Sequence, residues 1–233
     1  MPLIRIERRQ ETAVVLFARP PVNAFNLLLV EELHRRLDEL TTNVPAGGVV
    51  VTGEGHAFSG GVDFKEVPSY TTDQRAQMVG HINAAITILY GLPTATVAAV
   101  NGHAIGGAFV AMLSCDTRVA ADTEAKLGLT EVSAGIPFPA CPMEIVKAQI
   151  EPAYRRHLVL TRETIDPCTA QAHGLVDELV PPEALLQRAV ELAQMRAAAP
   201  SYGRVKDQLK RETLLRMREI IDTSSDPMLK QWA

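Results

Sequence analysis

Two stretches of the chain set glycines directly after runs of small and β-branched apolar residues. The first reads Val49-Val50-Val51-Thr52-Gly53-Glu54-Gly55-His56-Ala57-Phe58-Ser59-Gly60-Gly61-Val62-Asp63-Phe64. The second reads Ala98-Ala99-Val100-Asn101-Gly102-His103-Ala104-Ile105-Gly106-Gly107-Ala108-Phe109. In each, a strand-like run gives way to small residues, where the backbone can approach a ligand and N–H groups can point outward. In the second, Gly106-Gly107 opens a helix, whose first N–H groups lack intrahelical acceptors and whose dipole favours a developing negative charge. Two such turns on neighbouring strands could converge on one oxygen as an oxyanion hole, each donor contributing about 3–4 kcal/mol to the transition state. The same glycines could instead serve tight turns and close helix-on-sheet packing. Neither GxGxxG nor GxxxxGK[ST] is intact, which excludes phosphate cradling of those kinds.

Those turns need strands and helices to hold them. Short apolar runs at 3–6 and 13–17, separated by polar residues, predict a β-hairpin. Pro20-Pro21 ends it, and Asn23 or Asn26 can cap a helix over 28–40, where Val30, Leu33, Leu37 and Leu40 recur at helical spacing. Residues 49–52, 96–100 and 117–121 read as buried strands. Residues 74–89 read as a helix stopped at Gly91-Leu92-Pro93, and a further helix runs from Gly106-Gly107 through Leu113. A turn at 125–131 follows. Helical patterns then cover 144–150, 154–160, 167–173, 183–198 and 202–221. The expected fold is α/β, with a core over 1–180 and a helical segment over 181–233 that form one functional unit. Pro227 and Trp232 lie in an amphipathic tail, which predicts self-association to cover it.

Composition narrows the function. The chain has 233 residues, 47% hydrophobic and 21% charged, enough for a core without disulfide or metal staples. Its net charge of −4 is spread without a basic block, which argues against nucleic-acid binding. Cys115, Cys141 and Cys168 are odd in number and far apart, so they read as small apolar residues in a reducing compartment and not as a zinc site. Residues 94–113 are the most membrane-like stretch, but Asn101, Gly102 and His103 interrupt them. Met1 to Arg5 alternates apolar and charged residues without a signal-peptide h-region, so the expected location is cytoplasmic, with no membrane partner.

Taken together, several motifs in order resemble the enoyl-CoA hydratase/isomerase, or crotonase, superfamily over about residues 3–225. They are Pro21-Val22-Asn23-Ala24, Ala57 to Lys65, Ala98 to Gly107 continuing through Cys115-Asp116-Thr117-Arg118-Val119-Ala120, Gly128-Leu129-Thr130-Glu131-Val132, Gly135-Ile136 and Ala172-His173-Gly174-Leu175-Val176. The resemblance implies stacked ββα turns forming a spiral core, followed by a C-terminal helical segment that mediates contacts of a homotrimer or hexamer. It implies oxyanion donors at the N–H groups of Gly60 and Gly107. Ser59, Gly60, Gly61, Val62 and Asp63 would lie along an acyl-CoA thioester, whose coenzyme A is part of the substrate, so no resident cofactor is expected. Of two glutamates in the family's hydratases, the first falls on Val110 and the second on Glu131.

That substitution points to one reaction. Water addition is harder with a single carboxylate, whereas moving a proton from C2 to C4 on one face needs only one base. The pattern of Val110 with Glu131 is similar to Δ3,Δ2-enoyl-CoA isomerases. It makes Glu131 the expected proton carrier, with Val110 beside the acyl group. Burial near Phe109, Val110 and Leu129 would raise the Glu131 pKa. A hydratase, a thioester decarboxylase and a silent acyl-CoA-binding scaffold are the alternatives. Lys206, Lys210 and Lys230 are read as exposed helix lysines, Asp116 as a turn residue, and Glu66 and Glu144 as solvated or capping groups.

Overall fold

The computed structural model describes residues 1–232. A hairpin of β1 (Ile4–Arg9) and β2 (Thr12–Phe17) opens the chain, and α1 (Leu27–Thr42) follows. Asn26, not Asn23, caps α1, its side-chain oxygen accepting from the Leu29 N–H at 2.9 Å. Next come β3 (Val49–Gly53), β4 (Ala57–Ser59) and α2 (Thr72–Gly91), then β5 (Thr96–Val100), β6 (His103–Ile105) and α3 (Gly107–Ser114). β7 (Thr117–Ala121) and β8 (Leu127–Gly128) lead into the short α4 (Glu131–Ala134).

These are three successive ββα turns. The first strand of each turn enters a six-stranded sheet ordered β1-β2-β3-β5-β7-β9, where β9 is Glu178–Val180. The second strand of each enters a three-stranded sheet ordered β4-β6-β8. Apart from the antiparallel β1–β2 pair, neighbouring strands run parallel. The α/β spiral implied by the resemblance is therefore present. The three strands of the smaller sheet are two or three residues long, too short to show a period in sequence; only pairing across turns creates them.

The helical part is α5 (Ala140–Gln149), α6 (Pro152–Thr161), α7 (Pro167–Ala172), α8 (Leu185–Ala197), α9 (Tyr202–Asp222) and α10 (Met228–Gln231). Helix α5 starts four residues before the expected position because Pro142 sits in its first turn, where a missing N–H costs no intrahelical bond. From within the 181–233 segment, α8 lays Leu185, Ala189, Leu192 and Ala193 on Val14, Val50, Val97, Ala99 and Val119, covering one face of the large sheet. The other face carries the larger core, including Phe17, Phe58, Phe109, Leu29, Leu37 and Met112.

Lys206 and Lys210 correct the sequence expectation, because both are buried. They lie one turn apart on α9, and both reach Asp116, at 2.8 and 2.6 Å. Lys206 also donates to the Thr94 carbonyl, and Lys210 to the Tyr90 carbonyl while lying 4.0 Å from the centre of the Tyr90 ring. Asp116 further accepts from the Thr96 N–H and the Tyr202 hydroxyl. Burial pushes the Asp116 carboxyl up, but the two ammoniums outweigh it and hold the group below the usual carboxylate range. Burial draws Lys206 down to about 8. This cluster fastens α9 to the end of the central strands. Asp116→Ala leaves two ammoniums buried without a counter-charge, and we expect a loss of about 3–5 kcal/mol in denaturant titration. A loss below about 1 kcal/mol would mean that water reaches the lysines.

Candidate active site

The first glycine turn is held from behind by Asn23. Buried and at φ 53°, Asn23 donates its amide to the carbonyls of Glu54 and Ala57, both at 2.9 Å, and accepts from the Arg19 N–H. Ser59 is fully buried; its hydroxyl donates to the Asn23 carbonyl and accepts from the Gly61 N–H. Gly61 adopts φ +76°, and a Cβ there would stand 2.4 Å from the Ile105 carbonyl oxygen, so only glycine lets the two turns approach. Asp63 accepts from the Lys65 and Glu66 N–H groups and pairs with Arg19 at 2.7 Å. Burial works against the Asp63 carboxylate, but its hydrogen bonds and Arg19 bring its pKa below the usual value. Glu66, expected to be a solvated or capping group, is a hub that accepts from Arg19, Asn26 and Tyr70.

The second turn delivers Gly107 as the first residue of α3. Its N–H has no intrahelical acceptor, and no other protein acceptor reaches it among the described residues. Gly60 differs. It lines the same cleft, but its N–H donates to the Val22 carbonyl at 2.8 Å, so in this conformation it is not the free donor that was expected. The cause is the 19–24 loop, which folds across the first turn.

Glu131 begins α4 and is 7% exposed. Its Oε2 has no hydrogen-bond partner, and its Oε1 lies so near Gly106 that a Cβ at that φ +56° position would stand 3.2 Å away. Loss of hydration pushes the carboxyl up to about 7, with only the backbone N–H groups of Glu131 and Thr130 opposing. The cleft beside it is lined by Gly60, Gly61, Val62, Gly107 and Glu131. Val62, Gly107, Glu131 and Ile136 also line an adjoining, almost wholly apolar cavity of about 30 Å³, walled further by Ile82, Ile86, Met228 and Trp232. One carboxylate and one free helix-start amide thus stand where a polar cleft meets a dry pocket.

Residues 7–229 match the family model described as enoyl-CoA hydratase/isomerase. The chain belongs to this family. A Mycobacterium tuberculosis protein named "Probable enoyl-CoA hydratase echA8" is 33% identical over 202 residues, spanning 84% of this chain and 77% of that protein. The apo structure of an M. tuberculosis enoyl-CoA isomerase superposes with a TM-score of 0.85 at 26% identity, covering 95% and 96% of the two chains. That same mycobacterial protein, in another structure, is called a probable enoyl-CoA hydratase. Human mitochondrial Δ3-Δ2-enoyl-CoA isomerase shares the fold, with a TM-score of 0.85 at 23% identity over 99% and 96% of the chains.

Against this enoyl-CoA hydratase/isomerase family, the anticipated site residues divide in two. Gly60, Gly61, Val62, Gly107 and Glu131 come together around the cleft. Val110 does not line the cleft or the apolar cavity; it is fully buried one turn into α3, so the expected place beside the acyl group is corrected to a place in the core. Ser59 and Asp63 do not line the cleft either, and their polar atoms hold the glycine turn in shape. Asn23 and Glu66 escaped sequence reasoning, although Asn23 stood in a motif already singled out, because the partners that tie them to the glycine turn, to α1 and to Arg19 lie 31 or more residues away. Cys115 and Cys141 are buried as expected, whereas Cys168 is exposed. Among the described residues, no three His, Cys, Asp or Glu side chains gather as metal ligands, and no helix is long and apolar enough to cross a membrane.

Proposed function

We propose that the protein is a Δ3,Δ2-enoyl-CoA isomerase. The observation that carries this is Glu131, a single carboxylate without a partner on Oε2, set beside Gly107 at the mouth of an apolar cavity. The ionised carboxylate takes a proton from C2 of a 3-enoyl thioester, and the electron pair moves onto the thioester oxygen. The Gly107 N–H, backed by the start of α3, stabilises that oxygen. Gly60 becomes the second donor when the thioester oxygen displaces the Val22 carbonyl. The protonated Glu131 then returns the proton to C4, the enolate collapses, and the double bond lies between C2 and C3. Proton and electrons balance without a cofactor. A pKa near 7 suits a group that must both take and give a proton.

Val110 supports isomerisation over hydration. It leaves Glu131 as the one carboxylate lining the cleft among the described residues, so one base serves both transfers. Residues 60–62 provide backbone to lie along the thioester and pantetheine. Val205, Leu209 and Leu215 expose apolar surface on α9, which supports assembly as a homotrimer or hexamer.

The test is to supply 3-enoyl-CoA and 2-enoyl-CoA separately and follow double-bond position and water addition. We expect isomerisation, with kcat/KM rising about tenfold per pH unit below pH 7 and levelling above it, because the base must be ionised. Hydration of 2-enoyl-CoA as the faster reaction would overturn the isomerase reading. Tight binding of both without turnover would make the chain a scaffold.

A further inference from the structure

The apolar cavity has one wall unlike the others. Three helices supply much of the lining through Val30 and Leu33 of α1, Ile82, Ala85 and Ile86 of α2, and Pro142 of α5, and the cleft residues with the 136–139 loop close the side that faces the site. A further side is Met228 and Trp232, from the tail that follows α9. This tail contains one four-residue helix, too short to be stable alone, so tertiary contacts must hold it. They converge on Asp226, which is 2% exposed. Its Oδ2 accepts from the Asn83 amide and the Ala140 N–H, both at 2.7 Å, and its Oδ1 accepts from the Met228 N–H at 2.8 Å. Asn83 in turn accepts from the Cys141 N–H at 3.1 Å, so one carboxylate joins the tail to α2 and α5 together. Arg75 of α2 adds a bond to the Trp232 carbonyl at 3.2 Å.

From this arrangement we infer that the tail is the specificity-determining wall of the acyl subsite, with Trp232 and Met228 limiting chain length and Asp226 as the positioning residue that keeps them in place. The inference rests on the acyl-CoA reading of the site. With the tail latched, the cavity of about 30 Å³ has room for about two water-sized groups. Only the first carbons of an acyl chain fit beyond the reacting centre, and the protein selects short-chain thioesters. A longer chain must move a wall. The helices are tied into the core along their length, while the tail rests on the burial of Met228 and, in part, of Trp232 and on the polar anchors Asp226 and Arg75.

The test measures binding of saturated acyl-CoAs of increasing length by calorimetry, which needs no chemistry. In the native chain, affinity gains about fourfold for each methylene that enters apolar surroundings, then stops increasing once the cavity is full. In Trp232→Ala the gain continues for several further methylenes. In Asp226→Asn, which puts an amide before three donors, the same extension appears with weaker overall binding, because the wall is loosened and not removed. Trp232→Phe, which conserves most of the apolar wall, keeps the native cut-off and guards against a general folding defect; thermal unfolding of each variant is recorded alongside. An identical length profile in native, Trp232→Ala and Asp226→Asn proteins overturns the inference. No binding of any acyl-CoA by the native protein defeats the acyl-CoA reading itself, a different and separately visible result.

Discussion

Glu131→Gln is expected to slow isomerisation by about 10²–10⁴-fold and, at the same time, to make the protein more stable at alkaline pH. The first effect follows from removing the one carboxylate that lines the cleft among the described residues, the proton carrier of the proposed reaction. The second follows from burial. A carboxyl whose folded pKa is raised from 4.5 to about 7 favours the protonated folded state. Its contribution to stability is fully present below pH 4.5 and declines as pH rises to about 7. Above that, the buried charge burdens the fold by an amount that stays constant. Gln removes the charge at nearly the same volume. We expect a gain on the order of 2 kcal/mol at pH 8, corresponding to a Tm rise of about 4–8 °C, and almost none at about pH 4. Measuring Tm of both proteins across that pH range tests the electrostatics, and turnover of 3-enoyl-CoA tests the chemistry. Native-like isomerisation by the Gln variant would remove Glu131 from the mechanism. A pH-independent difference in Tm would place its carboxylate in water.

The other large effect is on the oxyanion. Gly107 is the first residue of α3, the helix position that tolerates proline best, because its N–H makes no intrahelical bond. The preceding Gly106 has ψ −125°, outside the α region that a following proline excludes. Gly107→Pro therefore deletes one N–H donor with little demand on the helix. Gly107→Ala keeps that donor, and its Cβ would meet only the Phe25 ring edge at 3.7 Å, an ordinary contact. We expect the Pro variant to lose about 10²–10³ in kcat relative to the Ala variant, while both bind saturated acyl-CoA and unfold at similar temperatures. Equal kcat in the two variants would show that the amide of residue 107 does not stabilise the enolate. A loss confined to KM would assign it to ground-state binding.

The Gly60 amide adds a conformational element to this picture. Its bond to the Val22 carbonyl satisfies a donor that would otherwise be left unpaired beside the cleft. A thioester oxygen can take over as acceptor, exchanging one hydrogen bond for another. The 19–24 loop is pinned to the first glycine turn by Asn23 and to Asp63 and Glu66 by Arg19. Any movement that frees Gly60 can thus be confined to Val22 and its carbonyl, a residue that is already exposed.

The amino-acid sequence by itself determined the parts of this protein that depend on local conformation and on the order of motifs. Val49-Val50-Val51 reads as a short covered strand, and Gly106-Gly107 as the opening of a helix after one, because strand length, glycine conformation and helix starts are written in adjacent residues. The order of those turns, with Glu131 following them, was enough to indicate the family. Tertiary structure decided what depends on distant partners. The strands of the smaller sheet exist only because successive turns stack. Lys206 and Lys210 look like solvated helix lysines until Asp116, about 90 residues earlier, is brought within 2.8 Å. The amphipathic tail reads in sequence as a surface for another subunit, and only the fold shows that Asp226 also sets Met228 and Trp232 on the wall of a cavity. Charge and hydrophobicity are properties of a residue type, whereas burial and pairing belong to the space around it, and that space is assembled only when remote segments meet.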